Sequence, residues 1–151
     1  MTLKEQLRAD LTRAMKGRDE LTASTMRMVL TAVTTEEVAG KQARVLTDDE
    51  VVKVLTREAK KRREAHEAYT NAGRDELAAR EQAELAVIET YLPQQLSDEE
   101  VSELVSSAIA ESGASGPQAM GQVMKALSPK VAGRADGAKV AAEVRRQLAA
   151  G

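Results

Sequence analysis

Six basic side chains near the carboxyl end of the chain have the type and spacing to bind phosphate. The stretch MGQVMKALSPKVAGRADG, residues 120–137, reads as two short helices joined by a bend after a proline stop. Lys125 and Lys130 precede the bend, Arg134 lies in it and Lys139 follows it. Basic residues around a loop between helix ends can hold a phosphate backbone without reading bases. With Arg145 and Arg146 as secondary contacts, these residues are the RNA-binding set that we expect.

The charge distribution leaves two interpretations of this basic segment open. From residue 120 onward there are six bases against Asp136 and Glu143, although the whole chain has a net charge of −2. A local excess of this kind is the electrostatic footprint of a polyanion partner. Residues 97–119, however, hold five acids and no base, so the acidic segment can equally offset the basic one. No aromatic residue is available here for stacking, so a folded RNA fits better than a single strand.

Four residues of the same stretch are expected to shape it. Gly121 lies within a helix, where glycine costs about 0.8–1 kcal/mol relative to alanine, so we expect a neighbouring helix or a ligand to approach it closely. Met124 belongs to the apolar stripe of that helix. Gly133 can supply a positive φ in the bend. Asp136 is placed to cap the last helix, which argues against a simple phosphate site at that helix end.

Most catalytic chemistry is excluded by composition. The chain has no cysteine and a single histidine, His66, so it lacks a thiolate nucleophile and a multi-histidine metal site. No phosphate-binding Gly-Lys-Ser/Thr loop occurs. His66 lies on a charged helix and is expected to be a solvated surface residue. We therefore expect no catalytic residue, no metal ligand and no cofactor in this chain.

The densest basic run, REAKKRREAHEAY at residues 57–69, is predicted to be a solvated, self-paired helix. Four consecutive bases cannot share one face, because successive helical residues turn by about 100°. Acidic residues also lie four positions away from these bases, and such pairs contribute about 0.2–0.5 kcal/mol each. The pairs are Glu58 with Arg62, Lys60 with Glu64, and Arg63 with Glu67.

Helical signals dominate the whole chain. Only 1% of the residues are aromatic and 42% are hydrophobic, mostly small or aliphatic, which favours packed helices over a sheet. Apolar residues recur at helical spacing, and no segment shows sustained alternation. The helices are expected to start at the capping boxes Thr2/Glu5, Thr47/Glu50, Ser97/Glu100 and, with Ser115 as N-cap, Ser115/Gln118.

The expected architecture is all-α and has two parts. An N-terminal bundle of about four helices occupies residues 1–93, and LPQQLS provides the boundary to a compact three-helix domain at residues 97–151. A unit of about 55 residues is near the lower size limit for folding alone. No apolar run is long enough for a membrane span, so a cytoplasmic location is expected.

The residues of the last segment resemble those of the GatB/YqeY family. The N-terminal half also resembles free-standing YqeY-like proteins in LKEQLRADLTRAMKGRD, MRMVLTAV and YLPQQLSDEE, so the resemblance covers essentially the whole chain. The matching positions of the tail are Gly121, Val123, Met124, Lys125, Gly133, Ala135, Asp136, Val140 and Val144.

The resemblance implies a role next to tRNA. A similar tail closes the B subunit of the glutamine-dependent amidotransferase that acts on mischarged Glu-tRNA or Asp-tRNA, where it grips tRNA while the chemistry occurs elsewhere. This chain has neither an amidase signature nor the length of the cradle domain that carries the ATP-dependent step. We therefore expect a non-catalytic accessory that binds or positions tRNA. The alternatives are an adaptor docking on an amidotransferase or a tRNA synthetase, and carbon–nitrogen ligase activity, with glutamine as amido-N-donor, only within a larger complex.

Overall fold

The protein is all-α, as the sequence predicts. The computed structural model describes residues 1–113 and 115–150, and within those ranges no strand occurs. None of the described helices has both the length and the apolar character that crossing a membrane requires. The described helices are α1 (Leu3–Lys16), α2 (Glu20–Glu37), α3 (Asp48–Asn71), α4 (Asp75–Glu89), α5 (Asp98–Ser112), a 3-10 turn (Pro117–Ala119), α6 (Met120–Val131) and α7 (Gly137–Ala150).

The chain divides into two compact units, Met1–Leu92 and Pro93–Gly151. The first unit contains α1 to α4. Its most extensive contact between helices is that of α3 with α4, which form a hairpin. The second unit contains α5 to α7. Each unit has its own apolar core. The fully buried residues of the first core include Leu7, Met26, Val29, Val33, Val51, Leu55 and Ile88, and those of the second include Val105, Val123, Leu127, Val140 and Val144.

Reciprocal capping boxes begin three of the helices. The side chains of Thr2, Thr47 and Ser97 each accept a hydrogen bond from the backbone N–H three residues on, and the glutamate at that position returns a bond. Such caps satisfy donors that the first helical turn leaves free. The predicted fourth box is wrong. Gly116, with φ +81°, takes the N-cap position of the 3-10 turn in place of Ser115, and no side-chain hydrogen bond caps that turn.

A buried carboxylate joins three segments of the first unit. Glu37, at the end of α2, accepts a 2.6 Å bond from the ammonium of Lys4 in α1 and a 3.1 Å bond from the backbone N–H of Leu46, just before α3. The hydrogen bond from Lys4, followed by that from Leu46, lowers the pKa of Glu37 below its ordinary value. This carboxylate therefore stabilises the fold in its charged form.

The basic run of α3 is not a simple solvated surface. Arg62 is only 16% exposed, and its guanidinium lies 3.5 Å from Glu81 and 3.7 Å from Glu84, both on α4. Glu58, the partner predicted for Arg62, is more deeply buried, with 7% of its side chain exposed. Its Oε2 atom lies 3.9 Å from Nη2 of Arg62. The solvated prediction is thus wrong for this side of α3, because helix α4 covers it.

His66 is likewise not a solvated residue. It is half-buried, and its Nδ1 lies 2.9 Å from the backbone carbonyl oxygen of Ala78 in α4. A carbonyl oxygen only accepts, so Nδ1 carries the proton and donates it in this bond. His66 therefore forms a further contact between α3 and α4. The charged residues around it in the sequence do not indicate this contact.

Candidate nucleic-acid interface

The bend between α6 and α7 comprises residues 132–136. Helix α6 continues through Pro129 to Val131, so the predicted proline stop is wrong. Pro129 lies in the last turns, where the missing N–H removes one bond, and the ladder resumes when Ala132 donates to the carbonyl of Ser128 at 3.1 Å. The chain then turns at Gly133, whose φ of +71° is a conformation that glycine adopts readily.

Asp136 lies at the start of α7. Its side-chain oxygen accepts a 3.0 Å hydrogen bond from the backbone N–H of Ala138, and its carbonyl accepts one from Val140 at 3.1 Å. This is the geometry of an N-cap, in which the carboxylate satisfies a free donor of the first turn. The carboxylate therefore occupies the place where a phosphate would meet this helix end.

Arg134 fastens the bend to the segment that precedes α5. Its Nε donates to the carbonyl of Gln94 at 3.1 Å, and its own carbonyl accepts the N–H of Leu96 at 2.8 Å. Beside it, the side-chain amide of Gln95 donates to the carbonyl of Gly133 at 2.8 Å. We call these three bonds the bend clasp. They show that Arg134, selected from the sequence as a phosphate contact, has its guanidinium directed at a backbone carbonyl.

The same guanidinium also acts on an acidic residue of α5. Arg134 and Glu100 line a shallow cleft of about 300 Å³ together with Glu103. The pKa of Glu100 is lowered by hydrogen bonds from the backbone and side chain of Ser97 and, to a smaller extent, by the charge of Arg134. The acidic segment thus offsets one of the six expected bases.

Arg146 is also engaged. Its guanidinium donates to the carboxylate of Glu143, one turn earlier on α7. This partner raises the pKa of Arg146 and lowers that of Glu143. Arg146 has 66% of its side chain exposed, so the pair lies at the surface and solvent screens it.

The remaining four bases are exposed and unpaired. Within the described ranges, no carboxylate lies within ion-pair distance of these side chains, which are Lys125, Lys130, Lys139 and Arg145. They do not form a single stripe. Lys125 and Lys130 are five residues apart on α6, so their directions differ by about 140°, and Lys139 and Arg145 differ by about 120° on α7. The structure therefore distributes positive charge around the two helices.

The glycine of α6 has no close neighbour. A Cβ built on Gly121 would meet nothing within 4 Å, and the residue is exposed. The expected approach of another helix is therefore wrong for the described residues, because α6 packs through Val123 and Leu127 on a different side. Met124 is half-buried and lies against the second core.

Sequence reasoning missed the bend clasp. The segment LPQQLS reads as a linker, but Gln94, Gln95 and Leu96 all bond the bend some 40 residues later in the chain. The one local sign was Gln95, because a glutamine side chain can bond backbone groups of another segment. In the described part of the chain, no group of three or more acidic or histidine side chains could hold a metal ion.

Comparison with known proteins identifies the family. The family model described as Yqey-like protein matches residues 4–148, so this chain belongs to the YqeY family, which is related to the tail of the amidotransferase B subunit. An uncharacterized protein of Schizosaccharomyces pombe is 33% identical over 97 residues, which are 64% of this chain and 76% of that protein. A Pyrenophora tritici-repentis protein, named Altered inheritance of mitochondria protein 41, mitochondrial, is 28% identical over 132 residues, 86% of this chain and 71% of its own.

Proposed function

We propose that this protein is a non-catalytic accessory that binds and positions tRNA through its second unit. The observation that carries the proposal is the set of four exposed, unpaired cations on α6 and α7. Among the described residues, the carboxylates of α5 form no ion pair with them, so their charge is available to a phosphate backbone. The relation of the family to the amidotransferase tail supports tRNA as the polyanion.

The expected mode of recognition is by charge and shape. Residues 93–151 contain no aromatic side chain, so bases of a single strand would have no stacking platform there. Cations spread around two helices suit the phosphates of a folded RNA, which occupy more than one direction. The protein would act in the cytoplasm, whereas the Pyrenophora relative is named as a mitochondrial protein.

The test is filter binding of total tRNA at about 50 and 200 mM salt. The variant K130A/K139A removes one exposed lysine on each side of the bend and leaves the bend clasp intact. We expect weaker binding and a salt dependence whose slope falls by about one for each lost phosphate contact. Circular dichroism confirms that the variant is folded.

The matched control is K16A/K41A, which removes two exposed, unpaired lysines from the first unit and changes the net charge equally. Its binding and salt slope should stay near those of the unaltered protein. If both double variants lost tRNA binding equally, the loss would follow from net charge alone. That outcome would contradict the assignment of the binding surface to α6 and α7. Absence of binding at either salt would contradict the proposal for the isolated chain.

A second candidate is a protein adaptor that docks on an amidotransferase or a tRNA synthetase. Met120 and Met124 favour it, because they are half-buried, one turn apart, beside the open Gly121, and flexible thioether side chains are common at docking surfaces. Such a complex would weaken little between the two salt concentrations. Ligase activity with glutamine as donor is expected only if the chain joins a complex that supplies the catalytic subunits.

A further inference from the structure

A cleft of about 470 Å³ lies in the first unit, beside the turn from α1 to α2. Its volume is within the range of small-molecule sites. The buried residues Ala14 and Ala23 contribute to its wall, and three arginines line it, each from a different segment. Arg18 lies in the turn between the helices, Arg27 on α2 and Arg80 on α4. We call this site the arginine cleft.

Two of the three guanidinium groups have no partner in the described part of the chain. Arg18 and Arg27 are exposed, and neither side chain forms a hydrogen bond or an ion pair with a described residue. Arg80 is 58% exposed and lies 3.3 Å from the carboxylate of Glu84, one turn later on α4. The charge of Arg80 is therefore partly offset, and Arg18 and Arg27 are the cations that a ligand would meet.

Arg18 occupies a backbone position that favours glycine. Its φ is +56°, and no other non-glycine residue of the described ranges has a positive φ. The N–H of Arg18 donates to the carbonyl of Met15 at 3.2 Å, and the N–H of Asp19 donates to the carbonyl of Ala14 at 2.9 Å. These two bonds form a Schellman motif, in which the residue in the left-handed conformation is usually glycine.

The side chain of Arg18 is not needed for this turn. Both bonds of the motif join backbone atoms, and the guanidinium bonds no described residue. A left-handed conformation is less favourable for arginine than for glycine, so this residue weakens the fold instead of strengthening it. Residues held in such conformations cluster at ligand sites. The unfavourable backbone therefore points to a role of the guanidinium in binding.

Two carboxylates of the cleft decide which anion fits. Asp19 caps α2, and hydrogen bonds from the side chain and the backbone N–H of Thr22 lower the pKa of Asp19, so it stays charged. Glu20, the first residue of α2, is exposed and unpaired among the described residues. A single carboxylate group would gain little against these two charges. A phosphate carries up to two charges and presents oxygens in several directions, which suits guanidinium groups that belong to different segments.

We propose that the arginine cleft binds a phosphate group through Arg18 and Arg27. The two guanidinium groups pair with phosphate oxygens from the turn and from α2, and Arg80 adds positive charge nearby. The proposal concerns the first unit alone and does not depend on RNA binding by the second unit. The phosphate of a free compound and that of an RNA strand offer the cleft the same oxygens, so the experiments must separate them.

The first test is calorimetric titration of the full chain with inorganic pyrophosphate at about 50 mM salt. We expect a Kd below about 1 mM, which should rise at least about tenfold in Arg27→Gln. Succinate, which carries two carboxylates in place of two phosphates, should bind the unaltered protein at least about tenfold more weakly. Equal affinity for pyrophosphate and succinate would overturn phosphate as the ligand.

Arg18→Gly separates binding from folding. Glycine adopts the left-handed conformation readily, so the melting temperature should be unchanged or higher, while pyrophosphate binds at least about tenfold more weakly. A folded Arg18→Gly variant with unaltered affinity would overturn the role of Arg18. Glu20→Gln removes an opposing charge and should strengthen pyrophosphate binding by about twofold or more.

The matched control is Lys16→Gln, which removes a positive charge two residues before Arg18 but outside the cleft. Its affinity for pyrophosphate should stay within about twofold of that of the unaltered protein. The K130A/K139A variant of the second unit should also keep its affinity. A loss in either control as large as that in Arg18→Gly would place the pyrophosphate elsewhere or trace the effect to net charge, and would overturn the site.

Filter binding of total tRNA distinguishes an RNA phosphate from a free one. If Arg27→Gln weakens tRNA binding and lowers the salt slope by about one, the cleft holds a phosphate of the RNA. If Arg27→Gln loses pyrophosphate but keeps its affinity for tRNA, the ligand is a free phosphate compound. An Arg27→Gln variant that binds both pyrophosphate and tRNA as the unaltered protein does would overturn the proposal.

Discussion

The guanidinium of Arg134 lies against two backbone carbonyl oxygens, those of Gln94 at 3.1 Å and Lys130 at 3.4 Å. Replacing Arg134 with methionine keeps an apolar stem and removes both bonds. We expect the free energy of unfolding to fall by about 1 kcal/mol, measured by urea denaturation. Lys139→Met, at an exposed and unpaired position nearby, should change it by no more than about 0.5 kcal/mol. Equal effects would argue against a structural role for Arg134.

Gly121 provides the opposite case, because its replacement should stabilise the protein. The position is helical and open, so Gly121→Ala should raise the free energy of unfolding by about 0.5–1 kcal/mol. Gly133→Ala is the control, because the φ of +71° there should make alanine destabilising by about 1 kcal/mol. A stabilised Gly121→Ala variant with weaker tRNA binding would indicate that a ligand approaches α6 at this glycine.

At the scale of elements, the contact of Lys4 with Glu37 makes the packing of α1 on α2 dependent on pH. The pKa of Glu37 is lowered in the folded protein, so its contribution is present above the unfolded value, about pH 4.3, and is lost as the pH falls through the folded value. Lys4→Met removes the leading cause of the shift. The difference in unfolding free energy between pH 7 and pH 3 should therefore shrink in urea titrations at the two pH values.

Lys16→Met serves as the control for this pH effect, since Lys16 is exposed and contacts no carboxylate among the described residues. Its pH dependence should match that of the unaltered protein. An unchanged pH dependence in Lys4→Met would mean that other carboxylates with a lowered pKa dominate acid unfolding, such as Glu50 and Glu100 in their capping boxes.

The elements that the sequence predicts well are those set by local chemistry. Thr2, Thr47 and Ser97 each act on a residue three positions away, so the sequence alone contains both partners of the cap. The role of Arg134 could not be predicted, because its guanidinium donates to the backbone carbonyl of Gln94, 40 residues earlier in the chain. Every residue has a backbone carbonyl, so the side chain at position 94 does not indicate this bond. Arg62 and His66 were missed for the same reason, since the covering helix α4 comes later in the chain.

At the scale of the whole molecule, the bend clasp decides where the second unit begins. A fragment of residues 93–151 keeps the clasp, whereas one of residues 97–151 loses the carbonyl of Gln94, the amide of Gln95 and the N–H of Leu96. We expect the shorter fragment to be less stable by about 2–3 kcal/mol, from three bonds of about 1 kcal/mol each. Thermal unfolding followed by circular dichroism compares them, and equal melting temperatures would place the boundary after Leu96.

The distribution of aromatic residues has an optical consequence. Both tyrosines, Tyr69 and Tyr91, belong to the first unit, and the hydroxyl of Tyr91 donates to the carboxylate of Asp10. Near-ultraviolet absorption and intrinsic emission therefore report on the first unit only, and the second unit contributes no chromophore of its own. Recording tyrosine emission beside far-ultraviolet ellipticity in one melt separates the two units without a label, because a transition of the second unit appears in the ellipticity alone.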